Sequence, residues 1–285
     1  MVIVVMGATG HVGAAVAAEL LERGEDIAVL ARDPSRAGAL ADRGARVVVA
    51  DAGDVASLRA AFADADRAFL LNPPGDTGAD SDAAERRTIA AILAALDGAS
   101  LDKVVAASTY GAQPGDGIGD LGTLWRLEDG LRAQSVPAAI NRGAYYMTNW
   151  LAFLDTVRDA GVLPSLFPAD VQIPMVAPAD LGRAAAERLL SPPDDDAIEY
   201  VEGPARYTPR DVADAFAAAL GREVSVQVVP RDRWEATFRE AGFSAASARS
   251  YVGLTGASLD ADFDKPESPR RGATDLSTFI AAALA

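Results

Sequence analysis

The chain opens on Met1–Gly13, MVIVVMGATGHVG, and this stretch restricts the fold more than any other. Val2, Ile3, Val4 and Val5 read as a buried strand. Gly7, Gly10 and Gly13 follow with G-x-x-G-x-x-G spacing, and the apolar run AAVAAELLERG carries helical periodicity to Gly24. Strand, glycine turn and helix form the start of a dinucleotide-binding βαβ unit. The glycines allow a tight turn and a close backbone approach to a pyrophosphate, and the helix start offers unpaired N–H groups and a positive dipole end. A glycine pattern alone is weak; a strand before it and a helix after it are the context that gives it meaning. Gly7, Thr9, Gly10, His11 and Val12 are therefore candidate cofactor contacts. His11 suits a phosphate contact better than a general-base role.

The rest of the first half repeats the theme. Strands are expected at 26–31, 45–50, 67–71, 103–108 and 137–142. Helices are expected at 34–42, 55–62, 79–96 and 121–133. Uninterrupted apolar strands separated by helices predict a parallel sheet covered on both faces, an α/β doubly wound fold of Rossmann type with ligands at the carboxyl ends of the strands. Residues 1–150 make this domain. Residues 151–176 and 204–285 form a smaller, mostly helical substrate or lid domain, while 177–203 returns to the first. In the second half 150–160 reads as helical. The proline-punctuated 163–178 reads as loop with one short strand. Helices follow at 178–190, 208–221, 231–241, 244–254 and 275–284, with strands at 197–203 and 224–229. Thr208, Pro209 and Gly221 mark the ends of the 208–221 helix. A cleft between the two parts would hold the substrate.

Composition narrows the chemistry. Cysteine is absent and a single histidine is present, so thiolate nucleophiles, disulfides, Ser-His-Asp triads and His-rich metal sites lack raw material, and no metal is expected. A net charge of −15 repels phosphate backbones and argues against direct nucleic-acid binding. No apolar run is long enough to span a bilayer, and no charged segment precedes the first strand. The reading is a cytoplasmic protein with no secretory leader and no membrane partner.

Residues at strand ends choose the ligand. Arg32 follows the second strand, where a guanidinium accepts a 2′-phosphate; Asp33 beside it could meet a ribose hydroxyl, or cap the helix starting at Pro34. NADP(H) is favoured over NAD(H), against the plainer reading of Arg32 as a solvated surface residue. Asp51, after the third strand, could accept from an adenine amino group or serve a helix-starting turn. Leu71, Asn72 and Pro73, with Pro74, form a stiff loop that could wall the ribose and nicotinamide, or simply delay the next helix. Ser108 and Tyr110 end the fifth strand, Ser108 toward the cofactor and Tyr110 toward a substrate. Tyr145, Tyr146, Asn149 and Trp150 end the sixth as an aromatic wall for a flat ligand, or as packing between the two parts. Tyr146 and Asn149 are the weak candidates for catalysis, Tyr146 also for the cofactor. A Tyr-x-x-x-Lys dyad is absent, because the residues four before Lys103 and Lys265 are Ala99 and Ala261.

These motifs together resemble the NmrA-like branch of the atypical short-chain dehydrogenases, nearly end to end. The resemblance rests on GATGHVG, on Ala31-Arg32-Asp33-Pro34, and on Glu128 and Leu131 before Ser135-Val136-Pro137. It continues through Arg142 to Asn149, Ala177-Pro178-Ala179-Asp180, and the 208–221 helix before VSVQVV. The family includes NAD(P)H:quinone oxidoreductases and NADP-sensing regulators, and the resemblance implies that Tyr146 to Asn149 lie against cofactor and substrate. One departure stands out. Some members carry lysine or histidine where this chain has Leu124, beside Trp125. The first expectation is an NADPH-dependent reductase of quinones or similar flat electrophiles. The rivals are a non-catalytic redox sensor with a regulatory protein partner, and a reductase or isomerase of a secondary metabolite. A homodimer is compatible with any of these.

Overall fold

The pleat sorts side chains onto two covered faces. In β1 (Val2–Val5), Ile3 and Val5 point to one side of the sheet and Val4 to the other. In β2 (Asp26–Ala31), Ile27, Val29 and Ala31 join the first side, Ala28 and Leu30 the second. Both faces are apolar because helices cover both. The computed structural model describes residues 1–260, 263 and 266–285; Ala261 and Lys265 of the dyad comparison lie outside the described residues.

After β1 come α1 (His11–Glu22), β2, a 3₁₀ turn at Pro34–Ala37, α2 (Gly38–Ala41), β3 (Arg46–Val49), α3 (Val55–Phe62), β4 (Arg67–Leu70), α4 (Ser81–Leu96), β5 (Lys103–Thr109), α5 (Asp120–Arg132) and β6 (Ala138–Gly143). The second half holds β7 (Tyr145–Tyr146), a 3₁₀ stretch at Met147–Phe153, α6 (Leu154–Ala160), β8 (Val162–Ser165), β9 (Ile173–Val176), α7 (Pro178–Leu190), β10 (Ile198–Glu202) and β11 (Arg206–Tyr207). It closes with α8 (Pro209–Leu220), β12 (Ser225–Val228), α9 (Trp234–Glu240), α10 (Ala245–Asp260), β13 (Arg270–Arg271) and α11 (Leu276–Leu284).

Eight parallel strands form the main sheet in the order β13-β10-β6-β5-β4-β1-β2-β3. α1 and α7 cover one face through Val12, Val16, Leu20, Leu181, Ala185 and Leu189. α3, α4 and α5 cover the other through Leu58, Phe62, Ile89, Ile92, Leu127 and Leu131. Strand order reverses between β1 and β4, so a crevice opens there at the carboxyl edge. A third apolar cluster, built on Met147, Trp150, Leu163, Met175, Val212, Phe216 and Ile280, lies in the second half.

The expected bounds of 26–31, 55–62 and 178–190 are found unchanged. Three expectations are corrected. The helix expected at 34–42 is a 3₁₀ turn plus one α turn. The helix expected from Trp150 begins as a 3₁₀ stretch at Met147. The 163–178 segment holds two strands rather than one, β8 paired with β12 and β9 between β11 and β7. Pro164 and Pro174 looked like breakers, but ladders of two to four residue pairs leave positions where no N–H is needed.

Candidate active site

The glycine turn is shaped by contacts as well as by dihedral freedom. Gly7 has φ +67°, and a β-carbon there would press on Leu71 at 3.0 Å. At Gly13 a β-carbon would lie 2.3 Å from the Gly7 carbonyl oxygen, so α1 can cross β1 this closely only without a side chain. Gly10 differs: a β-carbon there meets protein only at 3.5 Å, the Gly7 oxygen, so its bareness keeps open the space above the helix start. Gly10 supplies no side-chain cap, and the first turn of α1 carries no acid. The amide end of α1 thus keeps the hydrogen-bonding capacity and positive field that a pyrophosphate uses.

A crevice of about 280 Å³ lies beside this turn, lined among others by Gly7, Thr9, Arg32, Asp51, Leu71, Pro73 and Gly75. Six residues singled out from the sequence therefore meet at one place. Arg32 is exposed and has no hydrogen bond or ion pair with the described residues. Asp33 instead caps the following turn, its Oδ1 accepting from the Ser35 amide (3.0 Å) and hydroxyl (2.7 Å). Its carboxyl pKa is lowered first by the Ser35 hydroxyl. Asp51 lines the crevice while its Oδ1 accepts from the Gly53 amide at 2.8 Å; the cap of α3 is Asp54. Asn72 Oδ1 is buried with no hydrogen-bond partner among the described residues, an orphan acceptor between two crevice-lining residues. His11 is exposed on the first residue of α1, and Val12 is buried, leaving only its main chain to face a ligand.

The candidates after β5 and β6 have other company. Ser108 is buried, and its hydroxyl donates to Glu128 Oε1 at 2.5 Å. Glu128 also accepts from Arg142 Nε (2.9 Å) and Nη2 (2.7 Å), while Arg142 donates to the Tyr200 hydroxyl and the Ala112 carbonyl. Tyr110 is buried and donates to Glu202 Oε1 at 2.9 Å; burial and that carboxylate raise its pKa. Trp150 is buried in the second-half core against Tyr145 and Phe167, its indole N–H without a hydrogen-bond partner among the described residues. Tyr145, Tyr146 and Asn149 remain at least partly accessible. Burial pushes the Tyr145 hydroxyl to about 12, against a lowering hydrogen bond with Asn149. Burial pushes Tyr146 to about 12 as well, helped by the charge of Asp120.

Asp120 belongs to a group that sequence reading did not single out. It is exposed at the first residue of α5. Desolvation, then the Glu85 charge and a hydrogen bond with Glu85, push its carboxyl to about 7. Glu85 is buried and held by two donors, the Gly75 amide (3.0 Å) and the Thr123 hydroxyl (2.7 Å). Its signal was in the sequence: Glu85 sits on the buried face of α4 with Ile89, Ile92 and Leu96, spaced i, i+4, i+7, i+11. Asp120 had none, since an acid in a first helical turn is ordinary. Lys103 stands at the opposite sheet edge, donating to Ser191 Oγ at 2.7 Å and the Pro192 carbonyl at 3.0 Å. Among the described residues no cluster of His, Cys, Asp or Glu could hold a metal ion, and no helix is long and apolar enough to cross a membrane.

Known proteins resemble this chain in sequence and in fold. A (4-alkanoyl-5-oxo-2,5-dihydrofuran-3-yl)methyl phosphate reductase of Streptomyces griseus is 29% identical over 221 residues, 77% of this chain and 74% of the relative. An NAD(P)H azoreductase of Xenophilus azovorans is 24% identical over 222 residues, 78% of this chain and 75% of the relative. The triphenylmethane reductase of a Citrobacter species superposes with a TM-score of 0.83 at 20% identity, over 100% of this chain and 99% of that one. An NADPH-dependent quinone oxidoreductase of Escherichia coli, solved with NADPH, superposes at 0.77 and 23% identity over the full length of both chains. The model of the NmrA-like family matches residues 1–245, from the first strand through the glycine turn and the aromatic segment to the start of α10. By that match the chain belongs to the NmrA-like family.

Proposed function

We propose that this protein is an NADPH-dependent reductase that delivers hydride to a quinone or a similar flat, conjugated electrophile. The observation that carries the reading is the meeting of an uncapped helix start, an orphan Asn72 acceptor and an unpartnered Arg32 on one crevice at the strand-order switch. The residues fit the dinucleotide: Gly7 to Val12 would hold the pyrophosphate and Arg32 the 2′-phosphate, with Asp33 already committed to Ser35. When bound, the cofactor supplies hydride from its nicotinamide. The chain's own part is to orient the two rings and exclude water. The Leu71–Pro74 loop would bound one side of that space, with Tyr145 and Tyr146 toward the acceptor. Tyr146 keeps its proton at working pH, so its hydroxyl has a hydrogen to donate to the acceptor. The relatives named above reduce, by their names, a quinone, dyes, azo compounds and an oxo-dihydrofuran, which supports a flat electron-poor acceptor.

A redox sensor is the second reading, favoured by the missing Tyr-x-x-x-Lys dyad and by Leu124. One experiment separates the two. The protein is mixed with NADPH and a panel of quinones, azo dyes and conjugated lactones while reduced-nicotinamide absorbance is followed. Turnover on a panel member is the expected result; tight NADPH binding with no turnover on any acceptor selects the sensor.

A further inference from the structure

Residues 71–80, which join β4 to α4, are held from two sides. Pro73 to Asp76 line the crevice, and the Gly75 amide donates to Glu85 on α4 at 3.0 Å. The rest of the segment and the start of α4 are held by three serines, spaced three residues apart, at the beginning of α10. The Ser244 amide donates to the Thr77 carbonyl at 2.8 Å, and the Ser244 hydroxyl to the Ala79 carbonyl. Ser247 Oγ donates to the Ala79 carbonyl at 2.6 Å, accepts from the Ser81 amide at 3.1 Å and shares a 3.0 Å hydrogen bond with the Ser81 hydroxyl. Ser250 Oγ donates to Asp82 Oδ1 at 2.7 Å and accepts from the Gly119 amide, just before α5, at 2.9 Å. α10 therefore bridges the segments that follow β4 and β5, neighbouring strands beside the strand-order switch.

The α9–α10 pair coheres by itself. Phe238, Phe243 and Tyr251 pack with ring centroids 5.0–5.6 Å apart, and Arg231 pairs with Asp260. Its attachment to the body has another character. The three core clusters contain no residue of 231–260, and among the described residues no ion pair joins that segment to the rest. Gly253 seats directly on the Gly117 carbonyl, where a β-carbon would lie 2.0 Å from the oxygen. A cavity of about 470 Å³, lined by Asp82, Arg86, Arg249 and Ser250 among others, opens between α4 and α10 along this seam. Water can replace each hydroxyl bond as the seam parts, so little is lost, whereas parting the aromatic cluster would expose apolar surface. The seam yields before the helix pair does.

We propose that α9 and α10 move together as a rigid lid, and that the Ser244–Ser247–Ser250 seam is the latch that governs dinucleotide exchange. The lid rests on the crevice being the dinucleotide site. Opening breaks the bonds to Thr77, Ala79, Ser81, Asp82 and Gly119, and frees the wall at Pro73–Asp76 to move off the bound dinucleotide. Closing restores that wall and keeps water from the rings.

The chain has no cysteine, so a disulfide placed in the seam has no competitor. Ser81→Cys combined with Ser247→Cys puts two sulfurs where hydroxyls lie 3.0 Å apart. The full-length double variant is compared oxidised and reduced, with the bridge counted by thiol titration and NADPH release followed by stopped-flow fluorescence. Locking the lid over bound NADPH should slow release at least about tenfold, and dithiothreitol should restore the rate. In the opposite sense, Ser247→Ala loosens the seam and Gly253→Ala wedges it, and each should speed release about 3- to 30-fold. Equal release from the bridged and reduced forms overturns the proposal. Thiols that stay free after oxidation overturn it too, because a closed seam brings them together. If the cysteine pair does not fold, the alanine variants decide, and wild-type release rates in both overturn the lid while leaving the dinucleotide site standing. A wild-type protein that binds no NADPH overturns both.

Discussion

Arg32 is an exposed cation that pairs with none of the described residues, and it lines the crevice beside the glycine turn. Replacing it with alanine should weaken NADPH about 10- to 100-fold and NADH within about threefold, measured by fluorescence titration of both cofactors. Equal losses would place the 2′-phosphate contact elsewhere. Gly13 is constrained from the opposite direction. Gly13→Ala puts a methyl group 2.3 Å from the Gly7 oxygen, so the glycine turn must move off β1. Cofactor affinity should fall at least tenfold and thermal stability should drop with it. Glu128 and Arg142 form a buried bidentate pair with Ser108 attached. Glu128→Leu should cost about 3–5 kcal/mol because it strands a buried guanidinium, and a denaturation midpoint little different from wild type would refute that. Ser108 was legible as a strand-end hydroxyl, but its partner lies 20 residues away on α5, so only the packed helix could reveal its hydrogen bond.

At the scale of elements, caps were the most readable feature. Thr208 accepts from the Asp211 amide and the Asp211 side chain returns the bond to the Thr208 amide, a capping box with Pro209 just inside. Thr208→Ala should lower stability by about 1 kcal/mol, read as a small shift in denaturant midpoint with unchanged slope. The α1–α7 contact was not readable. A β-carbon at Gly182 would sit 2.6 Å from the Ala15 carbonyl carbon, so the two helices approach main chain to main chain at that point. Nothing in either helix's own periodicity names its partner. The same holds for β8 and β12, which are 63 residues apart at their starts by number (225 − 162) and pair only once the second half has folded.

The whole molecule is held across its layers by buried carboxylates with several donors each. Glu202 on β10 accepts from Tyr110 after β5, Arg206 on β11 and Arg271 on β13. Asp180 at the start of α7 accepts from the amides of Ala273 and Thr274, tying the last segment down. Two groups give the pH dependence of stability opposite signs. Asp195 is lowered to about 2, chiefly by hydrogen bonds from Arg188 and Ser191 acting against its desolvation. Its folded value is depressed, so its contribution is present above about pH 4 and is lost as pH falls toward 2. Asp120 is raised, so the folded state binds its proton more tightly than the unfolded chain, and stability drains away as pH rises from about 4 to about 7. Asp120→Asn should therefore raise the melting temperature at pH 8, by about 2–4 °C per kcal/mol of repulsion relieved, and change it little at pH 4. No gain at pH 8 would mean that the two carboxyls do not repel in the folded protein.

What this chain determined by itself was everything that depends on neighbours within about a dozen residues: uninterrupted apolar strands, glycine spacing, helix caps, and the class of ligand that a strand–glycine–helix start admits. Those are local because backbone geometry and amide hydrogen bonding act over one or two turns. The tertiary structure alone decided which candidates point into the crevice and which are spent on partners. Arg32 and Asn72 kept unused polar groups, while Ser108, Tyr110 and Trp150 were drawn into packing. It also decided that an unremarkable first-turn acid, Asp120, meets Glu85. Charge repulsion and desolvation depend on distance in space, and residues 85 and 120 are brought together only by the packing of α4 against α5.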